Sequence, residues 1–175
     1  MWNGGLAMND HNIVITGFMG TGKSTVSRLV AEKLGRMLVD TDAEIEKRIG
    51  KPVARIFAEE GETYFRLVER RMCRFLAAQR GFVISTGGGM LVDDGNRDVM
   101  LASGTVVCLT ADPEVLAERL RADQSDRPLM RGNWRGLLEQ RRSAYESIPI
   151  QIDTSHKSPD QIADEIVALC QTASV

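Results

Sequence analysis

The sequence predicts an α/β protein built on a five-stranded parallel sheet with helices on both faces. Five short apolar segments, most of them rich in β-branched residues, alternate with segments that repeat apolar residues at helical spacing. Strands joined through helices form parallel sheets. A chain of 175 residues is long enough for one domain with a sizeable core. The predicted strands are residues 12–16, 37–39, 82–85, 105–109 and 150–152.

Helices are predicted between these strands, and capping residues and helix breakers define several of their ends. Asp112 followed by Pro113 is typical of an N-cap and a first helical residue. Gly50 and Gly61 are predicted to end helices. Residues 122–133 are polar and rich in turn-forming residues. The predicted helices are residues 24–34, 43–49, 52–60, 62–79, 93–102, 113–121, 134–147 and 159–171.

Composition and termini narrow the class of protein. The net charge of −2 gives no basic surface for nucleic acid, and no apolar run approaches the roughly 18 residues of a membrane helix. Residues 1–10 lack the basic start and apolar centre of a signal peptide. We therefore predict a flexible N-terminal extension over residues 1–10, with Met8 as an alternative start, followed by one domain over residues 11–175.

Cysteine and histidine usage indicates a cytoplasmic protein without a metal cluster. Cys73, Cys108 and Cys170 are far apart and form no C-x-x-C pair, which is typical of reduced thiols. We predict that they are small apolar groups of the core. The two histidines, His11 and His156, do not combine with them in a metal-ligand pattern.

The segment Gly17–Ser24 reads G-x-x-x-x-G-K-S between the first predicted strand and the first predicted helix. This is the P-loop pattern, in which glycines let successive backbone N–H groups point at one phosphate. The helix N-terminus adds its positive end. Lys23 is predicted to reach the β- and γ-phosphates, and the Ser24 hydroxyl to bind Mg²⁺. The alternative, a glycine-rich turn with a surface lysine, is weaker because all eight positions match in the required context.

Two aspartates follow the second predicted strand. P-loop enzymes hold Mg²⁺ with an acid from another strand, and strands three and four end without one, so Asp40 is the best candidate. Asp42 lies two residues on, and in extended geometry the two carboxylates would face the same way. One acid for the metal and one for a substrate hydroxyl suits phosphoryl transfer. The alternative, that Asp42 only N-caps the following helix, stays open from these residues alone.

Two further patterns suit substrate binding. Gly87-Gly88-Gly89 follows the third predicted strand, either as a flexible turn or as a place where the backbone presses against a ligand. Arg66 and Glu69 are spaced i, i+3 on one predicted helix. They form either a surface ion pair or an arginine, steadied by the glutamate, that binds a carboxylate through two hydrogen bonds.

The last candidates lie near the C-terminal third of the chain. Residues 122–133 contain Arg127-Pro128-Leu129, which is either a disordered connection or a lid whose arginine closes on the transferred phosphate. Arg141 and Tyr145 are spaced i, i+4 on the next predicted helix. They could be ordinary surface residues, and Arg142 is an equally basic neighbour.

Taken together, these patterns resemble the shikimate kinase family in content and order. The resemblance extends from about residue 12 to about residue 169, and the aspartate pair, F-R-x-x-E and the triple glycine make it specific. Where the family often has Pro-Leu before the tyrosine, this chain has Ser143-Ala144, which leaves Arg141 and Arg142 as alternatives. The matching elements are G-x-x-x-x-G-K-S, Asp40-x-Asp42, Phe65-Arg66-x-x-Glu69, Gly87-Gly88-Gly89, Arg127-Pro128-Leu129 and Arg141-x-x-x-Tyr145.

The resemblance implies a three-layer fold like that of nucleoside monophosphate kinases, with strand order 2-3-1-4-5. It implies an ATP-dependent kinase that phosphorylates the 3-hydroxyl of shikimate, in the chorismate pathway to aromatic amino acids. Shikimate and ATP are the expected partners, Mg²⁺ the expected cofactor, and a monomer the expected state. The substrate-binding region is expected over about residues 41–79 and the lid over about residues 122–133.

The resemblance also implies a role for each matching residue. Asp42 would orient or deprotonate the hydroxyl of shikimate, and Gly88 would contact the ring hydroxyls through its backbone. Arg66 and Arg141 would bind the carboxylate. The P-loop residues implied to bind the nucleotide are Gly20, Thr21, Gly22, Lys23, Ser24 and Thr25. Ser24 would bind Mg²⁺ directly, and Asp40 would bind it through water. Arg127 would close from the lid onto ATP, and residues 154–159 would pack on adenine.

Two other classes of protein are less consistent with the sequence. A regulatory GTPase would need an N-K-x-D guanine signature, and the chain has no Asn-Lys pair. A gluconate or nucleotide kinase is closer, but the triple glycine together with the F-R-x-x-E arginine is not expected in either. A scaffold without activity is not favoured, because the candidate catalytic residues are all present.

Overall fold

The fold is described here from a computed structural model, which covers residues 10–122 and 133–172. Its five strands form one parallel sheet in the order β2-β3-β1-β4-β5. This confirms both the predicted sheet and the strand order that the family resemblance implied. Each strand extends one residue or less beyond the predicted range at either end, apart from β3, which matches it. The strands are β1 (Asn12–Gly17), β2 (Met37–Asp40), β3 (Phe82–Ser85), β4 (Gly104–Thr110) and β5 (Ile150–Asp153).

Seven helices of the described chain pack on the two faces of this sheet. Alternate residues of β1 face opposite sides, as the two-residue period of a strand requires. Ile13 and Ile15 pack toward α1 and α7, whereas Val14 packs toward the larger core beneath α2 to α6. The helices are α1 (Lys23–Leu34), α2 (Thr41–Ile49), α3 (Val53–Ala77), α4 (Asp94–Ser103), α5 (Pro113–Ala122), α6 (Trp134–Glu146) and α7 (Pro159–Thr172), with a short 3₁₀ turn at Met90–Val92.

Gly61 divides α3 into the two helices that the sequence predicts. Its backbone angles, φ 84° and ψ 167°, are not helical, although helical hydrogen bonding continues on both sides of it. Glycine reaches this conformation without the steric penalty of a Cβ. The prediction that a helix ends at Gly61 is therefore correct in backbone geometry, and the two parts follow each other without a loop.

The start of α2 differs from the prediction. The helix begins at Thr41, and Asp40 is its N-cap, with Oδ1 accepting a hydrogen bond from the N–H of Ala43 at 3.0 Å. Asp42 therefore lies in the first helical turn, so the expectation that Asp40 and Asp42 share one side of an extended segment is wrong. The reason is local: the Asp40 carboxylate satisfies a backbone donor of the first turn and starts the helix there.

The remaining predictions concern the cysteines, membrane-spanning helices, the N-terminal extension and the lid. The thiols of Cys73 and Cys108 are buried in the core and form no disulfide, as predicted, and burial raises the pKa of each to about 12. Cys170 is only half-buried against the core on the α1 and α7 side, so the prediction of a core position is correct only in part for it. Within residues 10–122 and 133–172, no helix has the length and apolar character needed to cross a membrane. The predicted N-terminal extension up to residue 9 and most of the predicted lid, residues 123–132, lie outside the described residues.

Candidate active site

The carboxyl ends of the five strands lie along one edge of the sheet, and the predicted functional segments follow them. The P-loop follows β1, and two of its glycines are required by geometry. A Cβ on Gly17 would overlap the carbonyl oxygen of Leu109 on the neighbouring strand β4. Gly22 has φ 91° and is the N-cap of α1, with no side chain to cap the helix. The first N–H groups of α1 are therefore open to an anion such as phosphate.

The P-loop side chains are arranged around the carbonyl oxygen of Phe18. Lys23 Nζ donates to this oxygen at 2.8 Å, and the Thr21 hydroxyl donates to it at 2.7 Å. Ser24 and Thr25 lie exposed in the first turn of α1. The loop thus presents one ammonium group and two hydroxyls beside the open end of a helix, which is the chemistry that a polyphosphate needs.

Arg119 on α5 joins the P-loop to the segment after β5. Its guanidinium donates to the Gly20 carbonyl at 3.2 Å, to the Thr154 hydroxyl at 2.9 Å and to the Thr154 carbonyl at 2.7 Å. The sequence analysis assigned no role to Arg119. No local pattern could have identified it, because its partners lie 35 and 99 residues away in the chain.

Three charged side chains converge on the triple glycine. A Cβ on Gly87 would overlap the carboxylate of Asp42, and a Cβ on Gly89 would lie 2.6 Å from Nη1 of Arg66. A Cβ on Gly88 would lie 3.7 Å from Nη1 of Arg141. Each glycine is thus in contact with a different predicted substrate-binding residue: Gly87 with Asp42, Gly88 with Arg141 and Gly89 with Arg66.

This charged cluster adjoins the P-loop. The Cβ position of Gly88 lies 3.5 Å from the Gly17 carbonyl oxygen and 3.9 Å from the Met19 nitrogen. The Gly87 N–H donates to the Thr41 hydroxyl at 2.9 Å, which ties the triple glycine to the start of α2. The phosphate-binding loop and the charged cluster therefore form two sides of one site.

Arg66 is held by two glutamates of its own helix. Nη1 donates to Glu69 at 2.6 Å, while Nε and Nη2 donate to Glu62 at 3.2 and 3.0 Å. Glu69 is only 1% exposed, whereas Glu62 is largely in solvent. Burial raises the pKa of Glu69 to about 7, and the charge of Arg66 and its hydrogen bond oppose that rise. The buried glutamate thus steadies the arginine, as the i, i+3 spacing suggested.

The structure separates Arg141 from Arg142. Arg141 is 8% exposed and lies against the triple glycine. The side chain of Arg142 is 54% exposed and pairs with Glu139 at 2.6 Å on the outer face of α6. Of the two alternatives left open by the sequence, Arg141 is the one placed at the site.

Other outcomes for the predicted residues are mixed. Asp40 lies at the end of β2 as the cap of α2, and Asp42 is placed in the site rather than at the cap position. Arg127 lies outside the described residues. Glu69 was predicted only to steady Arg66, and Tyr145 was noticed only as a motif member. Tyr145 donates to the Gly88 carbonyl at 2.7 Å, a contact across 57 residues that spacing alone does not indicate.

Comparison with known proteins identifies the family to which this chain belongs. The sequence model of a family described as shikimate kinase matches residues 19–171 of the chain. The chain belongs to the shikimate kinase family.

Individual shikimate kinases agree with this assignment over most of their length. The chain is 46% identical to shikimate kinase of Desulforudis audaxviator over 156 residues, which is 86% of this chain and 82% of that protein. It is 44% identical to shikimate kinase of Pelotomaculum thermopropionicum, over 89% of this chain and 93% of that one. The solved structure of shikimate kinase from Acinetobacter baumannii in complex with shikimate is 33% identical. It superposes with a TM-score of 0.87, covering 95% and 96% of the two chains.

Membership of the shikimate kinase family decides between the classes of protein that the sequence analysis compared. A regulatory GTPase and a gluconate or nucleotide kinase are both set aside. The expectation of a fold like that of nucleoside monophosphate kinases is confirmed by the strand order and by the superposition.

Proposed function

We propose that the chain transfers the γ-phosphate of ATP to the 3-hydroxyl of shikimate, giving shikimate 3-phosphate and ADP. The reaction belongs to the chorismate pathway that leads to aromatic amino acids. The observation that carries this proposal is the convergence of Asp42, Arg66 and Arg141 on three successive glycines directly beside the P-loop. Shikimate has one carboxylate and three ring hydroxyls. This cluster offers two guanidinium groups for the carboxylate and the carboxylate of Asp42 for one of the hydroxyls.

Arg66 and Arg141 bind the shikimate carboxylate in this proposal. The planar guanidinium group presents paired N–H donors that match a carboxylate. Arg66 keeps its position because the buried Glu69 accepts a hydrogen bond from its Nη1. The carbonyl oxygens of the triple glycine are engaged by Met90, Tyr145 and Val92. Within the described chain no acceptor is found for the N–H groups of Gly88 and Gly89, so these are the backbone donors available to ring hydroxyls.

Asp42 is the proposed catalytic base. Phosphoryl transfer requires a group that orients the attacking hydroxyl and accepts its proton. Asp42 is half-buried against Gly87, while the neighbouring Asp40 serves as the helix cap. Of the two aspartates, Asp42 is therefore the one that lies against the triple glycine, where the acceptor hydroxyl would be oriented.

The nucleotide side uses the P-loop. Gly20, Thr21, Gly22, Lys23, Ser24 and Thr25 are proposed to bind the ATP phosphates. Lys23 would exchange its hydrogen bond to Phe18 for the β- and γ-phosphates, since a polyphosphate offers stronger, charged acceptors. Residues 154–159, held to the P-loop by Arg119, are proposed to pack on adenine. Arg127 is proposed to close on ATP from a lid over about residues 122–133.

The residues present suit a magnesium ion bound mainly by the nucleotide. Ser24 offers an exposed hydroxyl and Asp40 a carboxylate, both hard oxygen ligands of the kind that Mg²⁺ prefers. Among the described residues, no three His, Cys, Asp or Glu side chains cluster as a protein metal cage would require. That agrees with an ion that keeps waters and phosphate oxygens as its other ligands. We propose Ser24 as a direct ligand and Asp40 as a ligand through water, with the ion neutralising charge on the phosphates.

The proposal also includes the state of the protein in the cell. We expect a monomer in the cytoplasm, with about residues 41–79 forming most of the acceptor side. The thiols of Cys73 and Cys108 are buried and form no disulfide, which supports the assignment to a reducing compartment. The contacts of Arg66 with the triple glycine support the assignment of the acceptor side.

A coupled assay of ADP release tests the activity. Purified protein with Mg-ATP should release ADP with shikimate and far more slowly with gluconate or AMP. Lys23→Ala should abolish release with an unchanged circular dichroism spectrum, because it removes a positive charge from the phosphates that carry the developing charge. Faster release with gluconate or AMP would contradict the proposed substrate. Substantial turnover by Lys23→Ala would remove the P-loop lysine from the mechanism.

A further inference from the structure

Tyr145 lies at the centre of the acceptor side although no role has been given to it. It is in the last turn of α6 and is 5% exposed. Its ring belongs to the large core cluster and lines a cavity of about 60 Å³ behind the P-loop, together with Phe18 and Thr21. Its hydroxyl donates to the Gly88 carbonyl at 2.7 Å. A buried tyrosine whose ring is in the core thus has its one polar atom directed at the triple glycine.

Arg141 lies one helical turn before Tyr145 on α6, so the two side chains extend toward the same part of the site. Nη1 of Arg141 is 3.7 Å from the Cβ position of Gly88, the residue whose carbonyl accepts from Tyr145. Burial raises the pKa of the Tyr145 phenol to about 12, and the nearby guanidinium of Arg141 opposes that rise. Tyr145 and Arg141 therefore contact the same glycine from neighbouring turns of one helix.

The hydrogen bond from Tyr145 to the Gly88 carbonyl has a geometric consequence for the backbone. In a trans peptide the C=O of one residue and the N–H of the next point in opposite directions. Anchoring the Gly88 carbonyl on Tyr145 therefore directs the Gly89 N–H away from Tyr145. Glycine has no Cβ to restrict its backbone angles, so this peptide plane would otherwise be poorly fixed. A peptide plane that is fixed before the substrate arrives lowers the entropy cost of binding.

We propose that Tyr145 is a positioning residue for the acceptor substrate, holding the Gly88–Gly89 peptide in place beside the Arg141 guanidinium. Its hydroxyl thereby fixes the backbone donor that binds a ring hydroxyl next to the group that binds the carboxylate. Tyr145 touches neither substrate nor nucleotide in this role. The role rests on the proposed function, since it requires shikimate to be bound between Arg141 and the triple glycine.

The test is Tyr145→Phe, which keeps the ring and its core contacts and removes only the oxygen. We expect the KM for shikimate to rise about 5–50-fold, because the Gly88 carbonyl loses its buried donor and the peptide beside Arg141 is no longer fixed. The KM for ATP and the kcat at saturating shikimate should each change less than about threefold. Tyr64→Phe is the matched control, because it removes the same atom from the other tyrosine, which is exposed on α3. It should leave all three parameters unchanged.

A double-mutant cycle shows whether Tyr145 and Arg141 act together. Both side chains contact Gly88, so combining Arg141→Lys with Tyr145→Phe should raise the KM for shikimate by clearly less than the product of the two single effects. Fully multiplicative effects would overturn the proposed coupling. So would an unchanged KM for shikimate in Tyr145→Phe, or equal rises in KM for shikimate and ATP, which would make Tyr145 merely structural. In the same assay, a wild-type protein that turns over no shikimate would overturn the proposed function itself, and the role of Tyr145 with it.

Discussion

The phosphate side and the acceptor side of this site are constructed from different parts of the chain. On the phosphate side, backbone conformation dominates: Gly17 and Gly22 have positive φ, and the open end of α1 supplies the N–H groups. On the acceptor side, none of Gly87, Gly88 and Gly89 has a positive φ. Gly87 and Gly89 are needed there because the charged side chains of Asp42 and Arg66 occupy the space where their Cβ atoms would be.

The comparison teaches that glycine serves two physical purposes within one active site. In the P-loop it allows a backbone conformation that other residues reach only with strain. In the triple glycine it allows side chains from three helices to approach one short loop. The two sides should therefore respond differently to the same chemical change. They should also respond differently to pH, since the acceptor side contains the buried carboxylate of Glu69.

The largest expected effect is on the acceptor side, at Asp42. Asp42→Asn keeps the shape of the side chain but removes the proton acceptor, so turnover should fall about 10²–10⁴-fold. Stability should hardly change, because Asp40 and not Asp42 caps α2. Shikimate binding should fall much less than turnover, because Arg66 and Arg141 are untouched. Steady-state kinetics, calorimetric titration and thermal melting measure the three quantities.

Asp94→Asn is the control for Asp42→Asn, because it makes the same change in the first turn of another helix, α4, where Asp94 is exposed. It should leave turnover and melting unchanged. Near-normal turnover in Asp42→Asn would remove Asp42 from the catalytic step and leave its carboxylate a structural group.

The next effect compares one substitution on the two sides. Gly89→Ala places a Cβ 2.6 Å from Nη1 of Arg66, which must move, so shikimate binding should weaken by about 1–3 kcal/mol while ATP binding is nearly unchanged. Gly22→Ala meets no atom within 4 Å but forces alanine to φ 91°. It should destabilise the fold by about 1–2 kcal/mol and weaken ATP binding more than shikimate binding.

Calorimetric titrations with each ligand separately, and urea unfolding of both variants, would measure this difference. The physical distinction is that Gly89→Ala displaces the end of a flexible side chain, whereas Gly22→Ala strains the backbone. Equal losses of both ligands in both variants would mean that the two sides are one mechanical unit, which contradicts the comparison.

The smallest expected effect concerns pH and stability. Burial raises the pKa of Glu69 from 4.5 to about 7, so the folded protein binds more protons than the unfolded chain between these values. The stability from protonated Glu69 is present below pH 4.5 and is lost as the pH rises through about 7. The free energy of unfolding of the wild type should therefore fall relative to that of Glu69→Gln over this interval, by at most about 3 kcal/mol.

Urea denaturation at about pH 4.5 and at about pH 8 would measure the two slopes. Glu62→Gln is the matched control, because Glu62 bonds the same arginine from the same helix but is largely in solvent. Its pH dependence should follow the wild type. Parallel curves for Glu69→Gln and the wild type would show that Glu69 is ionised throughout the interval.

The sequence by itself determined the fold class, the strand positions and most of the residues now found at the site. These properties follow from short-range patterns: the alternation of apolar strands and helices, the eight residues of the P-loop, and motifs such as F-R-x-x-E. Strand order followed from the family resemblance rather than from periodicity. Helix ends were predicted to within one or two residues. The start of α2 was predicted two residues too late, because Asp40 and not Asp42 is the N-cap.

Only the tertiary structure decided which residues meet across the site. The choice of Arg141 over Arg142 depends on which side of α6 faces the sheet, and both residues have the same local chemistry. The links of Arg119 to Thr154 and of Tyr145 to Gly88 join residues 35 and 57 positions apart. The reason is physical: periodicity reports what each segment buries, whereas a hydrogen bond between distant segments depends on packing angles and positions that no single segment encodes.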